Sequence, residues 1–285
     1  MDSNNGYTII IPAYNEIASI EKTVTDIKKL PGNYEIIVVD DGSTDGTYEC
    51  VQKTGVRVFR HSVNRGYGAT IKTGIQNAEF NTVVITDADS TYPNEKIPAL
   101  VRVFEEENSD MVVGARIKRN VRIPLIRKPA KWFITKLASY LSGTDIPDLN
   151  SGLRVMKKST VQKYMHLLPE GFSFTSTITL AMLTNKNLVR YVPIDYFERR
   201  GTSKIRPIYD TLNFIQLIIR MVMYFEPLRI FLPLSLSLII PGILLTLYQA
   251  FFLRNISTAA IIILLAGIQL LAIGMLADLI DKRSS

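Results

Sequence analysis

The sequence predicts an α/β protein on a mostly parallel sheet, followed by two helices long and apolar enough to span a membrane. Three observations carry that prediction. Short β-branched runs alternate with helical stretches through the first half of the chain. The runs are apolar on both faces, as in strands of a mostly parallel sheet covered on both sides. From Phe231 onward come FLPLSLSLIIPGILLTLYQAFFL and ISTAAIIILLAGIQLLAIGMLA, free of charged side chains and separated by Arg254 and Asn255. Each exceeds the roughly 20 apolar residues that cross a hydrocarbon core. They also account for part of the 47% hydrophobic content of the 285 residues.

Taken in order, the strand candidates are TIII (8–11), EIIVVD (35–40), VRVF (56–59), TVVIT (82–86) and DMVVGA (110–115). Helical patterns run from Ile17 to Leu30, Thr44 to Lys53, Tyr67 to Ala78 and Glu95 to Glu106. Asn15, Ser43 or Thr44, and Asn94 precede three of these and are good N-cap types. Crossovers between parallel strands are expected to be right-handed. Open α/β sheets bind ligands beyond the carboxyl ends of their strands. Pro12-Ala13-Tyr14-Asn15-Glu16, Asp40-Asp41 and Asp87-Ala88-Asp89 all fall there.

Residues 116 to 200 are expected to be mostly helical, with DLNSGLRVM (148–156) and a strand-like LVRYVPIDY (188–196) among them. Ile208 to Tyr224 then carries apolar residues at helical spacing with Asp210, Asn213, Gln216 and Arg220 on another side. It fits an interfacial helix or a core helix of the preceding domain. Pro227 and Pro233 break the pattern. The expected organisation is a domain over 1–205, a juxtamembrane segment over 206–230 and a membrane hairpin over 231–285, with spans at about 231–253 and 256–277.

The N-terminus has no basic flank and too short an apolar run for a signal peptide. Lys282 and Arg283 follow the second span, and the turn offers only Arg254. The positive-inside rule places both termini, and the domain before the spans, in the cytoplasm. Asn255-Ile256-Ser257 matches a glycosylation acceptor but sits in that tight turn. The single cysteine, Cys50, excludes an intramolecular disulfide and a multi-cysteine metal site. His61 and His166 lie far apart and flank no partner motif.

The net charge of +7 is concentrated. No acidic residue lies between Met111 and Thr144, where Arg116, Lys118, Arg119, Arg122, Arg127, Lys128, Lys131 and Lys136 all fall. Such a block suits anionic lipid headgroups or a phosphate substrate. Beside two membrane spans it does not suit nucleic acid. Trp132 and Phe133 fit interface anchors and core packing equally.

Asp87 and Asp89 stand one residue apart where an apolar strand ends. Two carboxylates so placed repel unless a positive charge joins them. A divalent cation held by one or two carboxylates and the oxygens of a diphosphate answers that need. The alternative is a solvated strand end or a cap on the next helix.

TIIIPAYNE, IIVVDDGSTDGT, NRGYGAT and VVITDADSTYP, in this order and spacing, resemble family 2 glycosyltransferases of the GT-A fold. DLNSGLRVM, ERRGTSKIRP and the C-terminal hairpin narrow the resemblance to the polyprenyl-phosphate glycosyltransferases, including the dolichyl-phosphate mannose synthases. The resemblance covers most of residues 7 to 205. It implies that Pro12, Tyr14 and Glu16 hold the nucleotide and that Asp40 meets the base or ribose, with Asp41 in support. It implies Asp87, Ala88 and Asp89 at the donor's diphosphate, with Asp87 and Asp89 binding Mg2+ or Mn2+. Arg116 and Arg127 match positions receiving the acceptor phosphate, and Lys131 stands where those enzymes can carry serine. Thr91 stands where many carry a glutamine near the metal. Arg200 and Lys204 resemble the mobile basic segment near the donor and acceptor phosphates.

A phosphate monoester, with a second pKa near about 6, is already largely dianionic. It therefore attacks an anomeric carbon without a general base, unlike a sugar hydroxyl. One in-line displacement predicts inversion. The expected activity is transfer of one hexosyl unit from a nucleotide sugar (UDP-glucose, UDP-GlcNAc or GDP-mannose) to dolichyl or undecaprenyl phosphate, a 2.4.1-type hexosyltransferase. A processive polysaccharide synthase would carry QxxRW and more spans, and neither is present in this sequence. A non-catalytic membrane adaptor would not need the full acidic and nucleotide-loop set. Gly242, Gly267 and Gly274 are the expected contacts of a dimer or tetramer.

Overall fold

Strand β1 (Tyr7–Ala13) is buried at every residue, and its side chains divide between two apolar layers. Tyr7, Ile9 and Ile11 join one layer with Ile20, Val24 and Ile27 of α1 (Ile20–Ile27). Leu100 and Phe104 of α4 (Ile97–Glu106) complete that layer. Ile10 joins the other layer, with Ile71 and Ile75 of α3 (Tyr67–Asn77) and Phe174, Ile178 and Met182 of α6 (Phe174–Thr184). A strand sandwiched this way needs apolar residues at all positions, as the sequence has. The structure is a computed structural model and describes residues 6–116, 139–140, 143–171, 173–197 and 226–284, together with residues 216, 219, 223 and 224.

The other elements are β2 (Tyr34–Asp40), α2 (Thr47–Lys53), β3 (Arg57–Arg60), β4 (Thr82–Ile85), β5 (Met111–Ala115), β6 (Arg154–Lys157), α5 (Lys158–Lys163) and β7 (Val189–Pro193). The seven strands lie in the order β3-β2-β1-β4-β6-β5-β7. β1–β2, β1–β4, β2–β3 and β5–β7 are parallel. β6 enters between β4 and β5 antiparallel to both. Within the described part of 116–200, β7 falls in the expected strand-like 188–196, whereas β6 is a strand the sequence did not lead us to expect. Pro193 is accommodated because it ends β7, an edge strand.

From β1 the chain leaves to β2 on one side, and β4 pairs on the other, so the sheet's direction of growth reverses between β1 and β4. Their pairing stops at Ile10↔Ile85, with Thr86 N donating to Ile10 O at 3.2 Å. The next rung of a parallel ladder would run from the N–H of residue 12 to the Thr86 carbonyl. Residue 12 is proline and has no N–H. The pairing ends there, at the topological switch point where open α/β sheets carry their ligands.

Helix starts differ from expectation. α1 begins at Ile20 after Ser19, α2 at Thr47 after Gly46, and α4 at Ile97 after a short turn over Asn94–Lys96, each without a side-chain cap. Asn15, Ser43 and Thr44 are instead bonded to one another across two loops. Asn94 Oδ1 accepts from Thr86 Oγ1 at 2.7 Å.

The chain divides into two compact units, Met1–Ile215 and Gln216–Ser285. In the second, α7 (Leu228–Tyr248) runs on through Gln249–Leu253, and α8 spans Thr258–Ser284. Arg254 turns the chain at φ 48°, and Gln249 Oε1 accepts from Ser257 N at 2.8 Å. Leu228–Leu253 and Thr258–Ile280 are long and apolar enough to cross a membrane, and only 11% and 17% of their most apolar windows is covered. A helical hairpin in a soluble core would be mostly covered.

The hairpin glycines have a different use from the one expected. A Cβ on Gly242 would lie 3.1 Å from Leu264 Cα, on Gly267 2.6 Å from Ile239 Cγ1, and on Gly274 2.4 Å from Phe231 Cβ. All three are buried where the two helices of one chain approach, so they are not open to a second copy. Of the predicted 208–224 helix, all but residues 216, 219, 223 and 224 lies outside the described residues.

Candidate active site

Four loops meet the carboxyl-end edge of the sheet. The first two, after β1 and β2, are stitched together. Asn15, at φ 55°, donates its N–H to Ser43 Oγ (2.9 Å) and accepts from Thr44 N through Oδ1 (2.9 Å). Glu16 N donates to Thr47 Oγ1 at 2.9 Å, and Ile17 N to Asp45 Oδ2 at 3.1 Å. Burial opposes the charge of Asp45, but the donors of Thr47 and Ile17 hold its carboxyl below the usual range. Pro12 is buried, and Tyr14 stands 38% exposed on the rim.

The two aspartates closing β2 behave differently. Asp41 accepts from Arg65 N (2.9 Å) and His61 Nδ1 (2.7 Å) on Oδ1, and from Gly66 N (2.8 Å) on Oδ2. His61 passes the contact on to Thr73 Oγ1 at 2.9 Å. Asp41 thus pins the 61–66 segment that leads into α3. Asp40 is fully buried; its Oδ2 accepts from Ser43 N at 3.2 Å and lies 3.4 Å from Arg60 Nε. Its Oδ1 has no hydrogen-bond partner. A buried carboxylate oxygen left so is costly and calls for a donor.

Beyond β4, Asp87 Oδ1 accepts from Tyr67 OH at 3.0 Å. Burial, then the charge of Asp87, raises the Tyr67 phenol well above its ordinary range, so it stays a donor. Asp89 Oδ1 accepts from Thr91 Oγ1 (2.6 Å) and Thr91 N (3.2 Å). Thr91, fully buried, therefore braces Asp89. The turn is held from behind by α1: Thr23 Oγ1 donates to Ala88 O at 3.1 Å and lies 2.8 Å from Ser90 Oγ. Ser90 has φ 58°, an uncommon value for a non-glycine residue and a local strain at a candidate site.

The fourth loop, 148–152, precedes β6. Because β6 runs backwards, its N-terminal loop reaches the edge where the parallel strands end. Gly152 lies against Asp87: a Cβ there would be 2.7 Å from Oδ2. Gly152 N donates to Tyr92 OH at 2.6 Å, and Ser151 Oγ to Gly114 O at 2.5 Å. Arg154, fully buried, braces the loop through Nε to Ser151 O (2.6 Å) and Nη2 to Leu149 O (2.8 Å), with Nη1 on Thr179 Oγ1 (2.5 Å). Its burial lowers the guanidinium pKa from the ordinary value.

Arg116, closing β5, forks onto Asp148 with Nε–Oδ2 2.7 Å and Nη2–Oδ1 2.9 Å, and lies 5.2 Å from the Tyr196 ring centroid. Burial works against both charges, but the paired bonds hold the Asp148 carboxyl below its usual range and raise Arg116. Two of the five guanidinium N–H donors meet Asp148. Sequence reasoning missed Asp148, Tyr67, Tyr92 and Arg154. Tyr67 stands inside NRGYGAT, and Asp148 and Arg154 stand inside DLNSGLRVM, but neither motif assigned these side chains a role. Arg127, Lys131, Arg200 and Lys204 lie outside the described residues, as do Lys118, Arg119, Arg122, Trp132 and Phe133.

Among the described residues no group of three His, Cys, Asp or Glu side chains is placed to hold a metal. Asp87 and Asp89 bring two hard oxygen donor groups to the end of β4, and Gly152 packs against Asp87 where a Cβ would lie 2.7 Å from Oδ2. Two carboxylates suit Mg2+ or Mn2+, which complete their shells with water and phosphate oxygens.

Comparison with known proteins agrees with this architecture. Residues 8–165 match the model of glycosyl transferase family 2, and residues 226–282 that of the GtrB C-terminal hairpin. The chain is 30% identical to a dolichyl-phosphate hexose transferase of Haloferax volcanii over 70% of its length and 86% of that protein's. It is 28% identical to an undecaprenyl-phosphate 4-deoxy-4-formamido-L-arabinose transferase of Proteus mirabilis over 98% and 89%. Among solved structures, glucosyl-3-phosphoglycerate synthase from Mycobacterium tuberculosis, in complex with Mn2+, UDP-glucose and phosphoglyceric acid, shares the fold. That match has a TM-score of 0.61 at 20% identity, covering 76% of this chain and 79% of that one. With a sheet of this order, a match to the family model over residues 8–165 and a C-terminal pair of helices long and apolar enough to cross a membrane, the chain belongs to glycosyl transferase family 2.

Proposed function

We propose that the protein transfers one hexosyl unit from a nucleotide sugar to a polyprenyl phosphate, with inversion, at the cytoplasmic face of a membrane. The observation that carries this reading is that β1–β4 pairing ends at the sheet's switch point, with the carboxylates of Asp87 and Asp89 in the loop that follows β4. The relatives, which are polyprenyl-phosphate sugar transferases, and the apolar hairpin support the acceptor class. The two basic termini of the hairpin favour the cytoplasmic orientation.

In this reading the stitched loops of Pro12, Tyr14 and Glu16 hold the nucleotide. Asp40 receives a donor of the base or ribose on its unpartnered oxygen. Asp41 acts beneath, fixing the 61–66 segment. Asp87, Ala88 and Asp89 face the diphosphate, with Tyr67 and Thr91 orienting the two carboxylates. A divalent cation held there would neutralise charge on the departing diphosphate. Arg116, with donors left over from Asp148, and Arg127, Lys131, Arg200 and Lys204 screen the acceptor phosphate.

The phosphate oxygen forms the bond to the anomeric carbon as the bond to the diphosphate oxygen breaks, and the nucleoside diphosphate departs with that electron pair. No proton has to be removed, so the site needs no general base for the acceptor. Its work is positioning and charge screening.

The test supplies the protein in bilayers with polyprenyl phosphate, Mn2+ and each of UDP-glucose, UDP-GlcNAc and GDP-mannose, and measures lipid-linked sugar. One donor is expected to give a single-sugar product that chelation of the metal abolishes. A long polymer, or no product from a protein that binds no nucleotide, overturns the reading.

A further inference from the structure

We infer that the edge of the sheet opposite the candidate active site carries a second binding site, for a small zwitterion of the α-amino-acid class. The inference does not rest on the proposed reaction. A cavity of about 270 Å3 lies there, lined by Asn81 and Thr82 where β4 begins, Lys157 where β6 ends, and Glu105 and Ser109 around the end of α4. Thr82 and Lys157 are directly paired in the antiparallel ladder, so their side chains leave the sheet on the same face. Pockets for drug-sized ligands run from about 300 to 1,000 Å3, so the occupant here is smaller.

The hydroxyl of Ser109 marks the cavity as a site. α4 ends in a Schellman turn: Asn108, at φ 47°, donates its N–H to Glu105 O at 3.2 Å, and Ser109 N donates to Phe104 O at 3.0 Å. The residue in the place of Ser109 commonly makes an apolar contact back onto the helix. Here it is a serine, 3% exposed, whose Oγ has no hydrogen-bond partner. A buried hydroxyl left so costs stability that an alanine would not. On the cavity wall, a ligand can supply the missing partner.

The charges choose the ligand. Glu105 and Lys157 are both exposed on the lining, and neither forms an ion pair among the described residues. Glu105 stands in the last turn of α4, where the carbonyl end of the helix adds negative partial charge. An ammonium belongs at that end and a carboxylate at Lys157. Asn81 spends Oδ1 on Ser159 N at 3.1 Å, which leaves its amide donors for the same carboxylate. A neutral sugar would leave both charges unmatched. A simple anion would meet Glu105, and a metal ion would find one carboxylate on the lining.

The test titrates the protein amino acids, singly, into full-length protein in bilayer nanodiscs by calorimetry, with methylamine, acetate and glucose as controls. At least one amino acid is expected to bind, and no control to match it. Lys157→Met and Glu105→Gln, both at exposed positions, should each weaken that binding about tenfold, the loss of one hydrogen bond to a charged group, with nucleotide binding unchanged. Ser109→Ala should weaken it roughly threefold and yet leave the melting temperature of the ligand-free protein level or higher. No binding by any amino acid overturns the inference. So does binding that survives loss of both charges, or a control that binds as tightly. A Ser109→Ala protein that melts lower without ligand also overturns it, because the hydroxyl would then have a partner in the fold.

Discussion

At the end of β2 two adjacent aspartates have divided their labour, and at the end of β4 two alternate ones share it. Asp41 commits both oxygens to backbone and imidazole donors of the 61–66 segment, while its neighbour Asp40 keeps one oxygen buried and unmatched. Asp87 accepts from the Tyr67 hydroxyl of α3, and Asp89 from the Thr91 hydroxyl of its own loop. Proximity of carboxylates in sequence therefore does not define a common set of partners. Which elements supply the donors does.

The largest expected effect breaks the β4 pair. Asp89→Asn should lower the rate of lipid-linked product formation about a thousandfold, the loss seen when a charge-stabilising group leaves an active site, with an unchanged melting temperature. A variant that keeps its rate would move Asp89 to the side of Asp41. Next, Asp41→Ala should cost about 3 kcal/mol of stability by stranding buried donors. For a unit of this size that lowers the melting temperature by about 8 °C. An unshifted melting curve would erase the contrast with Asp40.

Asp40→Asn should do the opposite, leaving the melting temperature within about 2 °C and weakening nucleotide binding about tenfold in calorimetry. The smallest effect concerns Asp148, whose carboxyl is depressed below 3.8 despite burial, because Arg116 pairs with it. The folded value lies below the unfolded one. The stability it contributes is present above about pH 4 and is lost as pH falls through the lower folded value. Melting temperature should therefore fall with acidification below pH 4, and less steeply in Asp148→Asn.

The sheet was legible where strands are buried on both faces, since TIII, EIIVVD and TVVIT leave no other reading at their lengths. β6 was not legible. Its four residues, Arg154–Lys157, begin and end with cations, and nothing local says that Arg154 is buried against carbonyl oxygens of its own loop. Asn15 and Ser43 have the chemistry of helix caps, but two side chains able to cap can also bond to each other, and here the loops are close enough for that. The acidic strand ends were visible as a pattern. The split between Asp40 and Asp41 was not, because it depends on where residues 61–66 return. In the hairpin, Gly267 and Gly274 signal close approach, yet a heptad of small residues does not say whether the neighbour is the same chain or another.

Pro12 has one consequence for every condition under which the enzyme works. A ladder end set by like charges would shift in acid or high salt, and one set by an inserted loop would shift with temperature. Here a pyrrolidine ring deletes the donor that would let β1 and β4 zip one rung further, so the end of the ladder is fixed by covalent structure. A valine at position 12 would restore the donor and invite the two strands to pair one rung further.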